Sequence, residues 1–401
     1  MTIINNPKEL QEACNKLVEA QYITVDTEFM RESTFWPQLC LIQIGGPKFA
    51  FAIDPLENNM NLNPVMELFA NKNITKVMHA ARQDMEIFYH INGKLPEPLF
   101  DTQIAAMVCG FGDQVGYEAL ISRLTGKKVD KSSRFTNWAH RPLTNEQIKY
   151  ALADVTHLRD AYEILLSRIK NTGRLEWIKS EIDQLCNPKL YHVTPNEAWK
   201  RLKYKRYEPR YLSVLQAAAA WRENEAMSRN IPRNRVLRDE IILQLAAKPP
   251  TDVSSLSLVR GLSESFTKSL MGDSLLKAIS EGIKLPIELA PKAPMKTDLP
   301  SGIGPICDLL KVLLKLKCEE YHVAQKLVAN SSDIERIAAD DNADVPALKG
   351  WRRNLFGKEA LKLKNGEIAL SASGKSLKIL NVDQTSKRKK TAPNKKQIKK
   401  V

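Results

Sequence analysis

No stretch of about 20 uncharged apolar residues occurs in the chain, so no segment reads as a membrane-spanning helix. The six cysteines (Cys14, Cys40, Cys109, Cys186, Cys307 and Cys318) form no C-x-x-C pair and no cluster with histidine. Zinc-site spacing is therefore missing, and scattered thiols fit a reducing compartment. The opening "MTIINNPKELQEACNKL" lacks the basic-then-apolar order of a secretory signal, so a cytoplasmic location is expected. Acids are absent from the far end, where eight lysines and arginines lie between Ser386 and Lys400. They supply over half of the formal net charge of +14. Such an excess favours a polyanionic partner, most simply nucleic acid; the plainer reading is solubility plus a basic tail.

What is present is ordinary for a globular protein: 43% apolar and 26% charged residues. At 401 residues the chain is too long for one core, and two or three domains are expected. Up to about residue 180, strand-like and helix-like patterns alternate. "YITVDTEF", "CLIQIGG", "FAFAIDP" and "ITKVMHAA" read as strands. "PVMELFANKN" and "RQDMEIFYHIN" read as amphipathic helices. The long helix of "TNEQIKYALADVTHLRDAYEILLSRIK" opens on a Thr-x-x-Gln capping box at Thr144 and Gln147. After Arg174 no strand pattern recurs. The expected order is an α/β domain over 1–180, a helical and basic connector over 181–206 and a helical module over 207–287. A proline-rich linker over 288–302, a second helical module over 303–375 and a disordered basic tail over 376–401 complete it.

The stretch "ITVDTEF" is rich in β-branched residues yet carries Asp26 and Glu28 two positions apart, hence on one strand face. Two like charges held there repel unless a cation or a proton lies between them. Asp84 falls near the start of a helix that follows the strand ending at His79. Asp154 falls one helical turn after Tyr150, on the same face. These four acids can converge at one end of a sheet, where they would need counter-charge. Two divalent cations roughly 4 Å apart are the usual solution, and oxygen ligands suit Mg²⁺ or Mn²⁺. A tyrosine one turn from a ligand is placed to orient or deprotonate water, and its pKa could fall beside the metals.

The segments "DTEF", "HAARQDMEIF", "PLFDTQ" and "KSSRFTNWAHRPLTNEQIKYALADV" together resemble the three exonuclease motifs of the DEDD superfamily, tyrosine-bearing branch. Their order and wording are similar to those of the bacterial ribonuclease D family. "AAAAWRENEAMSRNIPRNRVLRDEIILQLA" resembles an HRDC domain, and the module after the proline linker resembles the second, more divergent HRDC-like domain of that family. The implied fold is a ribonuclease H-like mixed sheet flanked by helices, followed by two all-α HRDC-type modules. The resemblance implies a 3′→5′ exoribonuclease that trims tRNA precursors and other structured RNAs to 5′-mononucleotides. It implies Asp26, Glu28, Asp84 and Asp154 as ligands of two divalent ions, with Asp26 bridging them and Asp84 acting partly through water. Tyr150 would position the nucleophilic water, Phe29 would meet the terminal base or sugar, and His79 would lie near the 3′ nucleotide.

Lys131 and Arg134 in "DKSSR" are candidate phosphate contacts, weighed equally against ordinary solvation. Asp101 reads first as an N-cap of "TQIAAMVCGF", with support of the active site as the minority role. Trp138, Arg141 and Pro142 read as fixing the approach to the Tyr150 helix rather than touching substrate, though Arg141 could do either, and His140 and His157 read as non-ligands. The basic, tyrosine-bearing run Lys200 to Arg210 suits single-stranded RNA by charge and stacking. Arg222, Arg229, Arg233, Arg235 and Arg238 either line one RNA-facing surface or pair with Glu223, Glu225, Asp239 and Glu240. A monomer without membrane contact is expected. Two rival readings remain: an RNA-binding scaffold whose nuclease site has decayed, and the same chemistry directed at DNA. The retained acids and tyrosine weigh against the first, and the lack of accompanying helicase or polymerase sequence against the second. A nuclear degradation factor with one HRDC module is the other architecture considered.

Overall fold

A computed structural model describes residues 2–130, 132–292 and 299–382. The chain divides into two compact units. The first is organised by a six-stranded sheet: β1 (Thr2–Ile4), β2 (Tyr22–Met30), β3 (Gln38–Gly45), β4 (Ala50–Ile53), β5 (Thr75–Met78) and β6 (Leu99–Asp101). Its order is β1-β4-β3-β2-β5-β6. β2, β3 and β4 pair antiparallel, and β1 on β4, β5 on β2 and β6 on β5 run parallel. β1 and β6 were not expected from the sequence, because three residues are too few to show a period of two.

Local signals start and stop the helices around the sheet. α1 (Pro7–Asn15) begins with proline, and the Asn6 side chain accepts from the Glu9 N–H. α2 (Asn63–Ala70) precedes β5, and α3 (Arg82–Asn92) follows it, ending at Gly93 in the left-handed region with φ 66°. α4 (Thr102–Val108) and α5 (Tyr117–Thr125) come next. α6 (Asn145–Asn171) carries Tyr150 and Asp154. Its capping box forms as expected: the Thr144 N–H donates to Gln147 Oε1 and the Gln147 N–H to Thr144 Oγ1. Leu41 of β3 and Ala52 of β4 bury with Ala151, Leu152 and Trp138, fixing α6 over the strands beside acid-bearing β2.

α7 (Leu175–Leu185) begins in the second unit and ends in this one, whose helical core is built on α8 (Pro209–Ser228). Leu212, Leu215 and Ala219 of α8 pack with Ile242, Leu245, Leu275 and Ile279. The helix Leu270–Lys284 passes so close that a Cβ at Gly282 would lie 3.0 Å from Ser213 O and Val214 Cα, so glycine permits the approach.

The loop from β2 to β3 is tied into both the sheet side and the helical core. Arg31 makes a two-pronged ion pair with Glu86 of α3, and Trp36 stacks on His90 of α3 with ring centroids 4.0 Å apart. The backbone N–H groups of Phe35 and Trp36 both donate to the Asn230 side chain. Phe35 enters the helical core beneath the Arg233 guanidinium, 4.4 Å from its ring. Fully buried Glu223 receives Arg233 and Arg201; burial pushes its carboxyl up, but the two arginines outweigh that and hold it below its ordinary range. Arg222 pairs with Asp239. For Arg222 and Arg233, therefore, the pairing alternative describes their contacts.

In the second unit, the helix Gly304–Glu320 packs against Ser331–Ala339, whose capping box joins Asn330 and Asp333. Trp177 and Trp351 stack at 4.2 Å. A hairpin, β7 (Ile368–Ser373) and β8 (Ser376–Asn381), turns at Gly374 with φ 61°. This corrects the reading that no strand follows Arg174 and that the tail begins at residue 376. The flanking "IALSAS" and "SLKILN" alternate weakly, with serine and lysine on the solvent side, so the period of two was faint. The basic stretch from Ser386 lies outside the described residues. No described helix is long and apolar enough to cross a membrane.

Candidate active site

Among the described residues, Asp26, Glu28 and Asp154 form a group whose ligand oxygens all lie within 4.8 Å of one another. The first two come from one face of β2 and the third from α6. Thr24, on the same face of β2, donates to the Val155 carbonyl of α6 at 2.7 Å, which shows that this face is the one α6 covers. At the outer end of the pair a bulge intervenes. Glu28 registers with Leu41 and Phe29 with Leu39, leaving Cys40 as the extra residue and re-aiming the strand after Glu28.

Burial and mutual repulsion set the electrostatics of the group. Burial first, and the neighbouring Asp154 second, push the Asp26 carboxyl up to about 8. Glu28 is pushed up to about 10 by burial and then by Asp26, Asp154 and Asp84. Burial raises Asp154 to about 7, the Tyr150 hydrogen bond opposing it. Oxygen donors at this spacing, each resisting ionisation in the bare protein, fit a hard divalent cation that would restore charge balance. Asp84 sits beside the trio: its carboxylate accepts from the Thr27 hydroxyl, and burial, then Asp26, raises it to about 8.

Tyr150 closes the site from the same helix as Asp154, and its hydroxyl hydrogen-bonds to that carboxylate. Burial, then the charges of Asp154, Glu28 and Asp26, pushes the phenol well above its ordinary range. In the bare chain Tyr150 is thus a hydrogen-bond donor; the fall considered from the sequence concerns the cation-loaded site. The Trp138 ring lies 6.1 Å from that of Tyr150. Arg141 fixes the preceding loop, binding Asp54 through Nε and Nη2 and donating to the carbonyls of Trp138, His140 and Cys40.

The remaining expected residues are placed as follows. Phe29 is half-buried beyond the bulge, and His79, at the end of β5, has Nδ1 3.0 Å from Thr102 Oγ1. Asp101 ends β6, and its carboxylate accepts from the N–H groups of Ala80 and Ala81 at the start of α3, so it braces the turn leading to Asp84. Arg134 is exposed and its guanidinium lies 5.2 Å from the Phe135 ring. Lys131 lies outside the described residues. Sequence reasoning passed over Thr27, whose position between the two acids was the available signal. It also passed over Phe135, which is 90% exposed in the loop before α6.

These shifts predict how the metal-free protein responds to pH. A carboxyl whose folded pKa exceeds its unfolded value near 4 favours folding most when protonated; stability is lost as pH rises from there towards about 8. The melting temperature in chelator should fall by at least about 5 °C between pH 5.5 and 8.0, and Mn²⁺ should recover it at pH 8.0. Asp26→Asn should flatten both responses. Differential scanning calorimetry of the two proteins checks this.

Residues 1–170 match the 3′-5′ exonuclease family, and residues 212–279 match the HRDC domain. Ribonuclease D of Granulibacter bethesdensis is 47% identical over 382 residues, covering 94% of this chain and 96% of that protein. Ribonuclease D of Acidiphilium cryptum is 45% identical over 383 residues, covering 95% and 97%. The crystal structure of Escherichia coli RNase D superposes with a TM-score of 0.78 at 28% identity, covering 91% of this chain and 98% of that one. With the acids of β2 and α6 assembled and both matches spanning almost the whole length, the chain belongs to the ribonuclease D family of 3′→5′ exoribonucleases.

Proposed function

We propose that the chain trims the 3′ ends of tRNA precursors and other structured RNAs, releasing nucleoside 5′-monophosphates, with two Mg²⁺ or Mn²⁺ ions held by Asp26, Glu28, Asp154 and, partly through water, Asp84. The observation that carries this reading is the set of three acids within 4.8 Å, closed by Tyr150. The chemistry supplied there by divalent cations, when bound, is Lewis-acid stabilisation of charge on the phosphodiester. The protein's own part is positioning. Tyr150 donates to Asp154 and leaves its oxygen lone pairs to receive a hydrogen bond from the attacking water. The water oxygen bonds to phosphorus as the P–O3′ bond breaks; the freed 3′ oxygen gains a proton, and the water's proton passes to solvent. Work as a monomer in the cytoplasm belongs to the same proposal.

The RNA body needs cationic surface. A cleft of about 390 Å³ beside the β2–β3 loop is lined by Arg31, Arg201, Arg222 and Arg233 together with Glu223 and Asp239, and each arginine is already paired with a carboxylate, so phosphates entering it would compete with those pairs. RNA binding by cationic surface should weaken steeply with salt. Near the catalytic helix, the loop holding Phe135 is tied to the first turn of α6, since Gln147 Nε2 donates to Thr136 Oγ1. An exposed ring flanked by arginine suits stacking on a base of the unpaired 3′ end. Phe135→Ala should raise KM for single-stranded 3′ tails by about 5- to 50-fold with kcat little changed, and Phe135→Trp should restore it. Steady-state kinetics on a 3′-tailed hairpin checks this.

The substrate class is tested by matched competition. A tRNA precursor with a 3′ extension, an unstructured RNA and a DNA of the same sequence are offered together at one salt concentration. Preference for the RNA ends, with the precursor trimmed to its mature stem, supports the proposal. Equal or faster cleavage of DNA would move the same chemistry to a different polymer.

A further inference from the structure

Gln43 lies in the middle of β3, in direct register with Asp26 of β2 on one side and with Ala52 of β4 on the other. Residues directly opposite in an antiparallel pair share a face, with Cβ atoms roughly 4.5–5.5 Å apart. Its side chain therefore stands beside that of Asp26, under α6. The neighbours in its row support this: Gly45 lies against Val155, where a Cβ would meet Val155 O at 3.2 Å, and Leu41 packs with Ala151 and Leu152. Gln43 is completely buried, and among the described residues neither its Oε1 nor its Nε2 has a hydrogen-bond partner.

A buried primary amide with nothing to bond is costly, because each unsatisfied group gives up its hydration without a replacement bond. Leucine or methionine would fill the same space without that cost. An amide kept there calls for a partner that the bare chain does not supply in the right geometry. The nearest charged group by register is the carboxylate expected to serve both cations. We infer that Gln43 is a positioning residue: its Nε2 donates to the Asp26 carboxylate once divalent cations occupy the site, and so fixes the rotamer in which Asp26 reaches them. This rests on the proposed cation-binding role of Asp26, Glu28 and Asp154. Partners of this kind orient metal-binding carboxylates, and losing one typically weakens metal affinity by about 10- to 100-fold.

The test is calorimetric titration of Mn²⁺ into full-length, metal-free wild type, Gln43→Leu and Gln43→Met, with melting temperatures of the metal-free proteins measured alongside. Both variants should bind Mn²⁺ at least about 10-fold more weakly, while melting at or above the wild-type temperature because an unpartnered amide has been removed. Wild-type affinity in the variants would overturn the inference. So would weak binding accompanied by lowered melting in both variants, which would make Gln43 a structural amide. If wild type itself binds no Mn²⁺ but Asp26→Asn still abolishes cleavage, the cation reading fails first and Gln43 with it.

Discussion

Asp26→Asn should lower exonuclease turnover by at least about 10³-fold while raising the melting temperature of the metal-free protein at pH 8. Both effects follow from one location. Asp26 stands on the strand face covered by α6, within 4.8 Å of Glu28 and Asp154 through their ligand oxygens. Burial and the nearby Asp154 already push its carboxyl up to about 8, so in the bare fold its charge is a liability. An amide of the same shape removes that charge and relieves its neighbours. On the proposed role of Asp26 as a cation ligand, the same change also removes a ligand, and loss of several kcal/mol of charge stabilisation corresponds to three or more decades in rate. Single-turnover cleavage and calorimetry of the same preparation separate the two. An inactive variant that also melted lower would indicate damage to the sheet.

Tyr150→Phe should slow cleavage by about 10²- to 10⁴-fold, the range of a positioned proton donor or acceptor, and leave Mn²⁺ affinity within about 3-fold of wild type. The phenyl ring stays near Trp138, and only the hydroxyl that bonds Asp154 is lost. In the metal-free chain burial and three carboxylates push the phenol far above its ordinary range, so there it donates to Asp154. Where Tyr150 keeps that donor role beside the cations, the rate shows no limb from phenol ionisation below about pH 10. Such a limb would mean that occupied cation sites reverse the balance and make Tyr150 a base. The pH profile of wild type and Tyr150→Phe under single-turnover conditions distinguishes these roles.

Much of the site was legible because its signals are local. Asp26 and Glu28 interrupt a β-branched strand, and Tyr150 and Asp154 are one turn apart on a helix whose capping box is written in Thr144 and Gln147. The order of these motifs along the chain carried the family. What escaped depends on partners far apart in sequence. Nothing near Phe35 and Trp36 announces that their N–H groups meet Asn230, almost 200 positions on, or that Arg31 finds Glu86. "CLIQIGG" read simply as a strand, and only the register with Asp26 gives its glutamine a chemical setting. Asp101, directly before α4, reads first as a helix cap; its additional hold on the turn at Ala80 and Ala81, some 20 positions back, has no local signal. Composition and period report which face is buried; they do not report what is met there.

The central claim is that Asp26, Glu28 and Asp154 form a cation-dependent centre that removes nucleotides one at a time from an RNA 3′ end. The most direct measurement incubates a 5′-labelled RNA bearing a single-stranded 3′ tail with wild type or Asp154→Asn, in chelator, Mg²⁺ or Mn²⁺. The account predicts a ladder shortening by single nucleotides with wild type and a divalent ion, and none in chelator or with Asp154→Asn. Wild type that binds the RNA yet leaves it intact in both ions, across low and moderate salt, would contradict the account and leave an RNA-binding protein with a silent site.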